Sequence, residues 1–265
     1  MVKNLFQDFL LLFVGKVIFI GSTKGGVGKT TCAANISYLF SSLGYDTLVV
    51  DTNLTGANLA MQFGIDLKNS YTIHHVLKGK VDPLEAIYLH RNSGLKIMPG
   101  SIDLDLIWKA KVNYIPRVIR KVRDLFDFVI LDTPPGVNEN VLKALEASDE
   151  AIIVTTQDLA SLGETLKILE LSESLGKEVS GVIINKYSGR FEFLRDQIEK
   201  FLGKEILGTV REDVNVLKAQ GSLSPVVEAF PKCKASKDFE RIALKYLNLE
   251  KRESVLEKFF NLFYK

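Results

Sequence analysis

The 265-residue sequence predicts an α/β fold, a single doubly wound, mostly parallel sheet with helices on both faces. Three observations carry that prediction. Short apolar runs rich in Val, Ile, Leu and Phe recur without alternation, as expected of strands buried on both faces. Helical patterns separate them, so successive strands are joined by crossovers rather than hairpins. The third is local. The apolar run 17–20 leads into a glycine-rich stretch, 21–31, of sequence G-S-T-K-G-G-V-G-K-T-T. A helical pattern with Ala33, Ala34, Ile36, Leu39 and Phe40 on one side leads out. Strand, glycine-rich turn and helix are the context that a phosphate-binding loop requires.

Taken in order, Gly44 stops the first helix. Thr47–Asp51 reads as a buried strand ending in a carboxylate, 95–98 as a weaker strand, and Phe128–Asp132 as a strong one that again ends in Asp. Strands at 151–155 and 179–184 follow, with a shorter candidate at 206–207. Helical patterns fall at 114–125, 138–147, 161–175, 191–202 and 236–248. No internal repeat or low-complexity linker interrupts them. The expected organisation is one domain over 16–248, with an apolar N-terminal extension at 1–15 and an amphipathic C-terminal helix at 249–265.

A hydrophobic fraction of 46% supplies a large core, and a net charge of +2 gives no bulk signal for a polyanionic partner. Cys32 and Cys233 form no C-x-x-C pair, which argues against a disulfide framework and a cysteine-held metal or iron–sulfur site. His74, His75 and His90 read as core or surface residues. No apolar run is long enough to span a bilayer, and the expected compartment is the cytosol.

In a doubly wound sheet the ligand lies outside the carboxyl ends of the strands. The glycine-rich loop, Asp51 and Asp132 all arrive there. Successive inward amides from Gly25, Gly26, Val27 and Gly28 make an anion nest, reinforced by the N-terminus of the helix beginning at Thr30 and Thr31. Lys29 is placed to reach the β- and γ-phosphates, and Thr30 to complete a Mg²⁺ shell. Each aspartate also has a plain reading as a strand-end cap. The run D-T-P-P-G at 132–136 favours a Mg²⁺-linked water ligand for Asp132, because a carboxylate beside phosphates needs a cation to offset repulsion.

The loop K-G-G-V-G-K-T at 24–30 resembles the deviant Walker A loop of the MinD/ParA ATPases, whose mark is the additional lysine, here Lys24. The resemblance continues through D-T-N-L-T-G-A-N-L at 51–59, D-T-P-P-G at 132–136, Thr155-Thr156, Asn185-Lys186 and Pro225-Val226-Val227, and spans roughly 16–248. It implies an ATP-dependent homodimer in which Lys24 reaches the partner's phosphates, Lys29 binds its own, Thr30 and Asp132 serve Mg²⁺, and Asn185 bonds the adenine edge; Asp51, at the same strand ends, is expected to join the Mg²⁺ and catalytic residues. One position departs from the pattern. The family's second acid, which orients or activates the attacking water, is replaced by Asn53. An amide cannot accept the water's proton, and general-base help is worth about 10²–10⁴ in rate. The expectation is slow hydrolysis and a long-lived ATP state. Gln157 stands where the family often has proline.

Beyond this domain, Val255, Leu256, Phe259, Phe260 and Phe263 fall on one helical stripe. This resembles the membrane-targeting helix of MinD proteins and implies a peripheral location at the inner face of the cell membrane, with a protein partner the sequence does not name. The alternative is a helix packed on the body or on the N-terminal segment. Residues 1–15 read as a docked helix, a membrane or partner contact, or the product of a start codon assigned too early. A rival function, DNA partitioning, rests on Lys109, Lys111, Arg117, Arg120, Lys121 and Arg123 against the single acid Asp124. The plainer reading of that stripe is a solvated face, and a third is contact with anionic lipid. A cofactor- or cargo-insertion ATPase is the remaining class.

Overall fold

The computed structural model describes residues 15–68, 70–189 and 194–249. Apart from Gly15 and Leu249, the two terminal segments singled out above lie outside the described residues. Among these residues one eight-stranded sheet is formed by β1 (Lys16–Gly21), β2 (Thr47–Asp51), β3 (Tyr88–Leu89), β4 (Lys96–Met98), β5 (Phe128–Asp132), β6 (Glu150–Thr155), β7 (Glu178–Tyr187) and β8 (Ile206–Arg211). Their order is β3-β4-β2-β5-β1-β6-β7-β8. Every pair is parallel except the antiparallel β3–β4 edge.

The helices are α1 (Lys29–Ser42), α2 (Ile73–Leu77), α3 (Leu104–Trp108), α4 (Ile115–Val122), α5 (Glu139–Ala147), α6 (Leu159–Ser174), α7 (Arg195–Leu202), α8 (Val214–Gly221), α9 (Val226–Ala229) and α10 (Lys234–Tyr246). The predicted helix at 114–125 is α4 followed by a 3₁₀ turn at Arg123–Leu125. The short candidate at 206–207 is a six-residue strand. Two-residue β3 and single-turn α2 and α3 are too short to leave a periodic signal.

Strand residues divide by parity between two core layers. Val17, Phe19, Val129 and Leu131 face α4, α5 and α6, whereas Ile18, Ile20, Phe128 and Ile130 face α1 and α10. Both faces are therefore buried, which is why the strands read as unbroken apolar runs. Phe19, Phe40, Phe128 and Phe239 are fully buried, each side chain contributing about 1.5–3 kcal/mol.

Register sets the chemistry. Ile20 lies opposite Asp132, and Asp132 opposite Asp51, so both acids stand side by side where β1 passes into the glycine loop. The strand starts form the opposite pole. There the Tyr246 hydroxyl donates to buried Glu150, which also pairs with Lys16 at 2.7 Å. The Lys16 ammonium lies 5.7 Å from the Tyr246 ring centroid, tying the last helix to the first strand.

Candidate functional site

The loop after β1 ends at Gly28, whose φ of 96° starts α1 from a left-handed turn with no capping side chain. The α1 N-terminus thus keeps its amides for a ligand. Gly28 is also a close approach, since a Cβ there would lie 2.1 Å from Asn185 Nδ2. Lys29 is buried, and its ammonium donates to the Lys24 carbonyl at 3.3 Å. Burial lowers the Lys29 pKa, opposed by the charge of Asp132.

Asp132 is fully buried, and neither carboxylate oxygen has a hydrogen-bond partner. Burial pushes it up to about 7, against the weaker pull of the nearby Thr30 hydroxyl, the Lys29 charge and the Thr133 amide. An unpartnered buried carboxylate is costly, so two orphaned oxygens behind the loop fit a group missing from the protein alone. Among the described residues no cluster of three or more His, Cys, Asp or Glu side chains could hold a metal. A Mg²⁺ ion associated with Asp132, directly or through water, would take its other ligands from Thr30, water and phosphate, and this donor set suits a hard cation.

Asp51 has a different position. Its Oδ1 accepts from the Asn53 amide, and its Oδ2 from the amides of Asn58 and Leu59, all at 3.1 Å. Burial and Asp132 raise its pKa, while those amides oppose the rise. Its oxygens are committed to the 53–59 loop, the strand-end role. Asn53 sits in that loop with its Nδ2 donating to the Gly56 carbonyl at 2.8 Å, so its amide lines the cleft while bracing its own turn. Buried His74 supports the loop from below. Its Nε2 bonds the Leu54 carbonyl at 2.9 Å, and the Ser101 amide donates to its Nδ1 at 3.0 Å, which together define the Nε2–H tautomer.

Lys24 is held within its own chain. Its ammonium lies 2.8 Å from both Asp158 Oδ1 and Ser161 Oγ. Thr156 and Ser161 hydroxyls donate to Asp158 Oδ2 at 2.6 Å. Partial burial acts upward on Asp158, but the bonds from Lys24, Ser161 and Thr156 outweigh it and hold the carboxyl well below its usual range. Asp158 was not identified from the sequence. The N-cap position of α6 was the available signal, since an acid there accepts amides and faces the strand ends.

Asn185 donates from Nδ2 to the Val27 carbonyl at 2.7 Å, so it braces the loop. Lys186, also unassigned from sequence, donates to the Gly26 carbonyl at 2.9 Å. Gln157 is buried and accepts the Ser188 amide at 2.8 Å through Oε1. Gly26, Gly28, Lys29, Thr30, Asn53 and Asn185 line a cleft of about 640 Å³ that extends past Arg211 to Leu217 and Gln220. That volume is suited to a nucleotide. In the predicted basic stripe, Lys109 pairs with Asp105, and Arg123 with Asp149 at 3.0 Å, whereas Arg117, Arg120 and Lys121 face solvent on α4.

A family profile described as an AAA domain matches residues 15–180. An uncharacterised ATP-binding protein of Methanocaldococcus jannaschii is 33% identical over 228 residues, 86% of each chain. The crystal structure of the Pyrococcus furiosus cell division ATPase MinD superposes with a TM-score of 0.85 at 31% identity, covering 89% of this chain and 99% of that one. The septum site-determining protein MinD of Pyrococcus horikoshii, solved with Mg-ADP, gives 0.83 at 30% identity, covering 91% and 98%.

Proposed function

The chain belongs to the MinD/ParA family of P-loop ATPases, and we propose that it is a MinD-like switch that dimerises around ATP and Mg²⁺, hydrolyses ATP slowly and positions a protein partner at a membrane surface. The observation that carries the nucleotide part is Asp132, whose two buried oxygens have no partner beside Lys29 and the glycine loop. The loop amides and Lys29 bind the phosphates, and the arm of the cleft toward Leu217 receives the rest of the nucleotide. Mg²⁺, when bound, would neutralise phosphate charge in a site otherwise crowded with carboxylates.

Lys24 is the residue proposed to act on the second copy. Its pair with Asp158 leaves the two side chains 39% and 48% exposed, and such a pair is worth about 0.2–1 kcal/mol. A partner's triphosphate therefore exchanges for Asp158 at small cost. Uncovered apolar residues follow the ends of three parallel strands: Ile102, Leu104 and Trp108 after β4, Val137 after β5 and Leu159 after β6. They lie beyond the same strand ends as the phosphate loop, on a face suited to a second copy.

Slow turnover follows from Asn53, which orients water by hydrogen bonding but takes no proton from it. The decisive experiment measures ATP turnover with size-exclusion chromatography, with and without vesicles. Wild type should turn over slowly as an ATP-dependent dimer, and Asn53→Asp should raise kcat at least about a hundredfold, the low side of general-base help. Equal turnover in the two proteins would refute the role given to Asn53. Flotation on anionic vesicles should require ATP and residues 250–265, and equal flotation with ADP, with ATP and after truncation at Leu249 would remove the membrane reading. The DNA-partitioning reading has one observation in its favour, the solvent-facing Arg117, Arg120 and Lys121. A salt-sensitive DNA shift abolished by changing Arg120 and Lys121 would select it.

A further inference from the structure

Two successive residues of β7 grip two successive carbonyls of the phosphate loop, Asn185 that of Val27 and Lys186 that of Gly26. Side chains of neighbouring strand residues ordinarily point to opposite faces, so both reaching one loop requires a local break. The structure contains one. Ile184 lies opposite Thr209 and Tyr187 opposite Arg211, so three steps along β7 match two along β8. Lys186 sits in this bulge with φ 53°, a left-handed conformation that a lysine seldom adopts. Bulges beside sites re-aim side chains, and here the turn brings the Lys186 stem round beside Asn185.

An anion nest works only while its amides face inward and its carbonyls outward. On the crest of this loop the Lys24 carbonyl is held by Lys29, and those of Gly26 and Val27 by the bulge. We propose that Lys186 is a positioning residue for nucleotide binding, holding the Gly26 carbonyl outward so that the neighbouring amides stay turned to the phosphates. This rests on the reading of the loop as a nucleotide site. The strained backbone at Lys186 is maintained for what its ammonium does on the loop.

The test titrates mant-ATP and mant-ADP, with Mg²⁺, into the full chain and its Lys186→Met, Lys186→Arg and Lys186→Gly variants, alongside melting without nucleotide. Lys186→Met should weaken both nucleotides about tenfold, the loss of one charge-assisted hydrogen bond at an exposed position, and raise KM with kcat unchanged. Lys186→Arg should keep most of the affinity. Lys186→Gly should lose affinity like Met while melting no lower than wild type. Wild-type affinity in Lys186→Met, or a loss matched by a lower nucleotide-free Tm in both Met and Gly variants, overturns the proposal. A wild type that binds neither nucleotide overturns the proposed function and this inference with it.

Discussion

Gly28 combines both restrictions in the phosphate loop, a φ of 96° and Asn185 Nδ2 at 2.1 Å from any added Cβ. Gly28→Ala should cost about 1–3 kcal/mol in backbone strain and abolish mant-ATP binding. Gly163, inside α6 with nothing within 4 Å of a Cβ, is the control, and Gly163→Ala should stabilise by about 0.4–1 kcal/mol. Thermal melts with nucleotide titration separate the two. Asp158 makes a second residue-scale prediction. Its folded pKa is depressed, so its contribution is complete above the unfolded value of about 3.9 and is lost as pH falls toward the folded one. The stability difference between wild type and Asp158→Asn should stay under about 1 kcal/mol, flat from pH 8 to 5, and shrink only below about pH 4. A difference that grew between pH 7 and 5 would contradict the pairing.

At the scale of elements, α2 is one turn long yet holds the 53–59 loop through His74. Its first amide, from Ile73, donates to the Pro99 carbonyl at 2.9 Å, docking the helix on the exit of β4. Removing the imidazole strands the Leu54 carbonyl and the Ser101 amide, so His74→Ala should cost about 2–4 kcal/mol and loosen the loop that carries Asn53. Burial lowers the His74 pKa. The unfolded chain therefore binds the proton better, and stability is full above about pH 6.5 and declines below it. Chemical denaturation across pH 7.5 to 5 should show that decline, with a shallower slope in His74→Gln. A slope unchanged by the substitution would assign the titration elsewhere. Apolar spacing and the glycines before it made α1 and its loop readable, whereas the weight of α2 lies in contacts with residues 20 and 27 positions away.

For the whole molecule, the doubly wound sheet and the phosphate loop were legible because their signals are local, unbroken apolar strands and a short motif between two of them. Asp51 and Asp132 were legible as neighbours because both end strong strands, but the sequence did not divide their tasks. Three amides of the 53–59 loop bond one carboxylate at 3.1 Å and none of that loop's amides bonds the other, a distinction made by the folded loop. Asp158 and Lys186 escaped for a related reason, since each owes its role to a local backbone feature, a helix cap and a strand bulge, far in sequence from the motif. The proposed dimer makes a prediction at this scale. At saturating ATP, wild type should elute as a dimer and Lys24→Ala as a monomer that still binds mant-ATP. A Lys24→Ala dimer would place the interface energy elsewhere.

The Lys16–Glu150–Tyr246 contact has one more consequence. It joins both described ends of the domain at the pole of the strand starts, while the cleft opens at the other pole. If the proposed membrane attachment runs through either terminus, a surface that holds the domain there would leave the nucleotide cleft turned away from it, open to solution.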